Sequence, residues 1–310
     1  MGRWTVIFLL SLLPVVLPVA AQSPAMMFYN VESLYDTVPS LFYDDGDYTP
    51  EGRYRWDSER YAAKLQSLAS VIDAVSADLV ALAEVENEAV VRDLVMTLGT
   101  DYNYIHRTSN DSRGIDLALL YKGDRFFVDR VEDVESGFGR QFMYVRGRLQ
   151  GVGRIDLVVC HLPSQIGPAE RRERAMHRLA SFVDELHRTD SSARIVVAGD
   201  FNSSPAQRTV RRIMPRFLFP LLLEAERRGE GTTVYDGRWQ MLDHFWVERT
   251  KFPDIRAQVY IVENLLAPVG QIHMVESKQV DLLFRCPEGK LGGTRTGRAR
   301  RAARLLSSVP

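Results

Sequence analysis

Cysteine is scarce in this sequence, with Cys160 and Cys286 the only two among 310 residues. That excludes a disulfide-dense scaffold, and Cys160, set inside an apolar run, reads as one buried thiol. Other signatures are missing as well. There is no Gly-x-Ser-x-Gly elbow of a serine hydrolase, and no pair of histidines at metalloprotease spacing. Gly151-Val152-Gly153 lacks the third glycine of a dinucleotide loop and reads instead as a hairpin turn. Neither sign of charge is in excess, with 39 Lys and Arg against 40 Asp and Glu and a net charge of -1. The balance is uneven, because residues 285–310 carry six Arg and one Lys against one Glu. What remains is an acidic body with little general attraction for polyanions outside that tail. Beyond the N-terminus no apolar run is long enough to span a bilayer.

The N-terminal run, residues 3–22, has the pattern of a secretory signal. Arg3 precedes an apolar stretch over 4–19, and Val19-Ala20-Ala21 supplies the small residues of a cleavage site. Pro14 and Pro18 weigh against a retained anchor in a run so near the minimum spanning length. The expected organisation is a signal over 1–21, one domain over 22–284 and an atypical basic tail over 285–310. The working protein is then an exported monomer, secreted or periplasmic, with no membrane span after cleavage. With 45% hydrophobic content it can bury one large core.

The chain is organised around residues 195–203. Ile-Val-Val-Ala reads as a strand buried on both faces, and it stops at Gly199-Asp200. If the backbone stays extended, Asp200 and Asn202 project to one side as an acceptor and an amide donor. The alternative is an Asx turn closing the strand. Other apolar runs end similarly: 26–29 at Asn30, 78–83 at Glu84 and 155–160 at His161, while 241–247 carries Asp243. Short strands at 102–106, 115–121, 126–131, 142–149 and 155–161 suit a meander, with lesser strands at 256–262 and 280–284. Helices are expected from Asp57 or Ser58 through Val75, through Val91, Leu94, Val95 and Leu98 to Gly99, and over 169–187, whose Arg171, Arg172, Arg174 and Arg178 read mainly as a solvated face, with some of them able to meet phosphates. Residues 37–56 read as a long loop. Its Asp44, Asp45 and Asp47 lack the bidentate Glu of a calcium loop.

Buried strands do not ordinarily end in acids, amides and a histidine unless those ends line a cleft. The set suits hydrolysis at phosphorus with one hard metal ion, Mg²⁺ or alternatively Mn²⁺. Glu84 is the ligand candidate, and Asn30 adds a carbonyl oxygen or orients a ligating water. Asp200 is placed to hold the attacking water, with Asn202 and a protonated His161 as donors to the phosphoryl oxygens. His161 can also exchange a proton with the leaving group.

Asn30-Val31-Glu32, Leu82-Ala83-Glu84-Val85-Glu86-Asn87, Gly114 to Tyr121, His161-Leu162-Pro163-Ser164, Gly199-Asp200-Phe201-Asn202 and Leu242-Asp243-His244 resemble, in order, the motifs of the endonuclease/exonuclease/phosphatase superfamily. Thr232 to Trp239 is similar to a segment of its exported bacterial members. The resemblance spans about residues 26–284. It implies an α/β fold, a four-layer sandwich of two packed mixed β-sheets flanked by helices, and a phosphate-ester substrate, nucleic acid among the candidates. It implies that Glu84 binds Mg²⁺, that Asn30 supports metal or phosphate, that Asp200 and Asn202 serve water and phosphate, and that His161 and Asp243 belong to the catalytic set. Arg113 and Asp116 then lie where substrate approaches. One departure stands out. The family's last strand carries a Ser-Asp-His-like motif whose histidine pairs with the Asp243 position, yet no histidine follows His273. The tail therefore reads as out of frame or foreign to the fold, which would cost the sheet a strand and Asp243 its partner. His244, one residue along a strand, should face the other way. The leading expectation is a phosphodiesterase or nuclease, and the alternative is a catalytically impaired binding protein of the same fold.

Overall fold

The computed structural model describes residues 23–260 and the strand at 281–285. The expected signal, residues 261–280 and the chain beyond Arg285 lie outside the described residues. The chain begins β1 (Ala25–Leu34), α1 (Ser58–Val75), β2 (Leu79–Val85), α2 (Glu88–Thr97), β3 (Asn103–Arg107), β4 (Asp116–Tyr121). It continues β5 (Phe126–Val134), β6 (Phe142–Leu149), β7 (Gly153–His161), α3 (Ala169–Thr189), β8 (Ile195–Asp200), α4 (Arg208–Ile213). The remainder is β9 (Phe219–Pro220), α5 (Leu223–Arg227), β10 (Thr233–Tyr235), β11 (Arg238–Gln240), β12 (Asp243–Val247), β13 (Arg256–Tyr260) and β14 (Asp281–Arg285).

Two six-stranded sheets form, in the orders β13-β14-β1-β2-β4-β3 and β5-β6-β7-β8-β12-β9. Each is mixed: β1 runs parallel to β2 and β7 parallel to β8, with antiparallel partners on either side. Strand alternation sorts the side chains into three apolar layers. Met26, Phe28, Ala81, Val159, Ala198 and Phe245 fill the space between the sheets. Met27, Tyr29, Val80 and Leu82 face Leu65, Leu68, Ile72 and Leu94 of α1 and α2. Val158, Ile195, Val197 and Trp246 face Met176, Leu179 and Val183 of α3. The central strands are continuous apolar runs because both of their faces are covered. Helix, sheet, sheet, helix is the four-layer sandwich expected.

One expectation changes. Residues 102–162 are not one meander, since β3 and β4 belong to the first sheet and β5, β6 and β7 to the second. The chain crosses between them at a tight turn in which Phe126 N donates to Lys122 O at 2.9 Å. The strand expected at 280–284 forms β14, which pairs antiparallel with β1, Phe28 opposite Leu282, while the expected loss of a last strand with the tail lies outside the described residues. Local expectations hold. Asp57 caps α1 by accepting from Arg60 N at 2.9 Å, and α2 is shorter than expected, with Leu98 closing it as an extended C-cap. Gly151 and Gly153, at φ 82° and 96°, turn the β6–β7 hairpin. The loop after β1 packs down through Tyr48, which stacks on Tyr35 at 4.1 Å, and Trp56, whose Nε1 donates to Tyr35 O.

Gly199 and His244 show how tightly the strands around the site are fitted. A Cβ on Gly199 would lie 2.1 Å from Cys160 O and 2.6 Å from its Sγ. Gly199→Ala is expected to cost about 3 kcal/mol in urea unfolding, because rigid β7 backbone must move. His244 is fully buried, stacks on Phe201 at 4.7 Å, and accepts from Trp246 Nε1. It faces the α3 side, away from Asp243. Burial pushes its pKa from 6.5 down to about 3, so between those values the unfolded chain takes up a proton that the folded one refuses. Stability is lost as pH falls through that window. Relative to His244→Phe, the wild type should lose about 1.4 kcal/mol per pH unit there, read from urea midpoints across the window.

Candidate active site

The carboxyl ends of β1, β2, β7 and β8 meet at one edge of the sandwich, the usual place for a ligand in sheets with parallel pairs. At that edge the backbone leaves regular pairing. The β1–β2 register shifts after Asn30, and the β2–β4 register shifts around Glu84. Glu32, Ser33, Glu84 and Asn202 all adopt left-handed backbone, φ 49°, 64°, 65° and 48°. Such conformations are costly away from glycine and persist where the surroundings enforce them. Here they turn polar side chains from the ladder into the cleft between the sheets.

Asn30 stands at the centre. Its Oδ1 accepts from Glu32 N at 3.0 Å, which directs the amide nitrogen between two carboxylates, Glu84 Oε1 at 3.3 Å and Asp200 Oδ2 at 3.1 Å. Ser33 Oγ donates to the other oxygen of Glu84 at 3.2 Å. His161 Nε2 lies 3.6 Å from Glu84 Oε1 and 3.7 Å from Asp200 Oδ2. Asp243 is the register partner of Asp200 across β12 and β8, and its backbone N–H donates to the buried Thr232 hydroxyl at 3.1 Å. Asn30, Glu84, His161, Asp200, Asn202 and Asp243 therefore gather at one end of two strand pairs.

The two alternatives at Asp200 and Asn202 resolve into an Asx turn that also belongs to the cluster. Asn202 N donates to Asp200 Oδ1 at 2.7 Å, and its side-chain amide donates to Leu162 O at 3.0 Å, joining the ends of β7 and β8. Burial, with the Glu84 carboxylate adding to it, pushes Asp200 up to about 7 against the pull of the Asn202 N–H and the Asn30 amide. The protonated His161 of the sequence reading is not what the surroundings favour. Burial first, then the guanidinium groups of Arg140 and Arg113, hold its pKa well below the ordinary 6.5. It is a neutral imidazole with one N–H to give.

Arg113 and Asp116 are placed differently. Arg113 is half exposed on the rim, its Nε 3.3 Å from Asp111. Asp116 is buried beneath that rim, with one oxygen 2.9 Å from His106 Nε2 and the other accepting from Ser109 N at 2.7 Å. Its contacts hold the 109–114 loop rather than join the cluster. Two residues outside the sequence reading, Arg140 and Lys64, do reach the site, as does Arg172. Buried Arg140, just before the apolar run of β6, pairs through Nε with Asp111 at 2.8 Å, and it lines a cavity with Arg107, Ser109, Gln141 and His161. Among the described residues Arg140 Nη1 and His161 Nδ1 have no hydrogen-bond partner. Arg172, assigned to a solvated face, instead bridges Ser203 Oγ at 3.1 Å and Ser164 O at 2.9 Å, tying together the loops after β7 and β8. Lys64 reaches from α1 to the left-handed residues Glu32 and Ser33 near the end of β1.

The donor set suits a hard divalent cation. Glu84 and Asp200 offer oxygens on either side of one amide, and the buried Cys160 thiol is the only sulfur of a cysteine among the described residues. No described group of three or more His, Cys, Asp and Glu forms a closed metal cage. One or two carboxylates completed by water and a substrate phosphate is how Mg²⁺ is ordinarily held.

Solved structures share the architecture. A mannosyl-6-phosphatase of Bacteroides thetaiotaomicron matches with TM-score 0.59 and 14% identity, over 84% of this chain and 98% of its own. A truncated TDP2 of Caenorhabditis elegans matches with TM-score 0.59 and 15% identity, over 85% and 97%. The human Nocturnin catalytic domain, which carries a bound sulfate anion, matches with TM-score 0.57 and 16% identity, over 85% and 93%. At such identities the likeness is one of fold. No curated protein sequence gives a significant match, and no described helix is long and apolar enough to cross a membrane. The model of the endonuclease/exonuclease/phosphatase family matches residues 25–279, nearly the whole described chain, and the chain belongs to that family of phosphoesterases.

Proposed function

We propose that the chain is a phosphodiesterase that uses one divalent cation, Mg²⁺ or Mn²⁺, and an activated water, with nucleic acid as the leading substrate class. The observation that carries this reading is the Asn30 amide standing between Glu84 and Asp200, with His161 within 4 Å of both carboxylates. Glu84, fixed by Asn30 and Ser33, would hold the cation, which when bound supplies positive charge for the phosphoryl oxygens. Asp200, pushed up to about 7, is matched to accept a proton from an attacking water near neutral pH. His161 donates its one N–H toward the phosphate or the leaving oxygen. Arg140, buried beside His161 with an unpartnered Nη1, adds a fixed cation for the oxygens that gain charge in the transition state.

One feature of the sequence favours a second reading. No histidine follows His273, and a chain without the family's terminal motif histidine would bind phosphoesters and not turn them over. Hydrolysis of bis(p-nitrophenyl) phosphate and of plasmid DNA in Mg²⁺ separates the two. Turnover that falls by ~10²-fold or more in Glu84→Gln, with unfolding unchanged, is the expected result. Wild-type protein that binds cation and DNA without any turnover would establish the second reading. Export follows from the residues before Gln22 in the same proposal. Protein recovered from the periplasm or medium is expected to begin near Gln22 on N-terminal sequencing, and a mature chain retaining Met1 would refute export.

A further inference from the structure

Lys64 is almost fully buried, and the Glu32 and Glu84 carboxylates favour its charged form against that burial. Its Nζ donates to two backbone carbonyls, Glu32 O and, at 3.1 Å, Ser33 O, and it lies 5.9 Å from the centre of the Trp56 ring. A buried ammonium is costly unless its hydrogen bonds are worth that cost. These two go to the consecutive left-handed residues that follow Asn30. Turning both carbonyls of Glu32 and Ser33 toward one cation gives a strained, non-glycine turn a reason to persist.

That turn is where both neighbours of the proposed cation are set. Its Glu32 N–H fixes the Asn30 amide at 3.0 Å, and its Ser33 hydroxyl donates to Glu84 Oε2 at 3.2 Å. Glu84 is itself on left-handed backbone and receives its other hydrogen bond from Asn30. Both oxygens of the candidate ligand are thus oriented from one short turn, and α1 holds the turn from beneath. We infer that Lys64 and Ser33 are positioning residues for the divalent cation, with Lys64 closing the turn and Ser33 fixing the Glu84 carboxylate in the orientation that receives it. This rests on the cation-dependent reading above.

The test uses the full chain with MgCl₂ and MnCl₂. Cation affinity is measured by calorimetry, unfolding by urea, and kcat together with the half-saturating cation concentration on bis(p-nitrophenyl) phosphate. Ser33→Ala is expected to unfold as wild type and to bind cation about 10-fold more weakly, and Lys64→Met up to ~100-fold more weakly. The loss should fall on the half-saturating concentration more than on kcat, a split that general loss of structure does not produce. Ser33→Ala and Lys64→Met that bind cation as wild type does would overturn the inference and leave the phosphodiesterase reading standing. If Lys64→Met fails to fold, Ser33→Ala decides by the same measure. A wild-type chain that binds neither cation overturns both.

Discussion

Two carboxylates from opposite sheets approach one another at the Asn30 amide, and much of the site follows from keeping them there. Glu84 comes from the first sheet and Asp200 from the second, so their separation is set by how the sheets pack. Like charges in a buried cleft repel strongly. One amide cannot neutralise them, and the consequence is visible in Asp200, pushed up to about 7 by burial first and then by Glu84. A divalent cation answers the same problem more completely.

Holding that arrangement requires backbone that local preference would not choose. Glu32, Ser33, Glu84 and Asn202 are all left-handed and none is glycine. Each is held by something outside its own strand. Lys64 donates to the carbonyls of Glu32 and Ser33. Asn202 is closed on Asp200 and on Leu162. Arg172 then clamps the two loops that follow. The apolar layers supply rigidity, and these few polar braces convert it into orientation.

Much of this was legible in the sequence because burial on both faces leaves a plain mark. The continuous runs in β2 and β8 could only be central strands, and a polar residue at the end of each could only face an edge of the sheet. The Asx turn at Asp200 and its place in the cluster were posed as alternatives, yet one geometry serves both, since the turn aims the carboxylate. Other parts depend on contacts that no local pattern encodes. Asp116 is directed by His106 and Ser109, and the passage from β4 to β5 looks in sequence like any tight hairpin although it changes sheets. Lys64 left a faint signal, a lysine in register with Leu68, Val71 and Ile72 on the buried face of α1.

The strand β14 narrows what the departure at the C-terminus can mean. It lies antiparallel to β1, with Ala25 opposite Arg285 and Phe28 opposite Leu282, and β1 runs toward the site. Asp281 is therefore the end of β14 nearest the cleft. The described donors around the cluster include the amides of Asn30 and Asn202, the Ser33 hydroxyl, the single N–H of a neutral His161 and the guanidinium of Arg140. Asn30 and Asn202 already spend their amides on Glu84, Asp200 and Leu162. Among the described residues His161 and Arg140 line one cavity and face no competing hydrogen bond at Nδ1 and Nη1, and the proposed phosphodiesterase would draw on these two for the charge that builds on a phosphate.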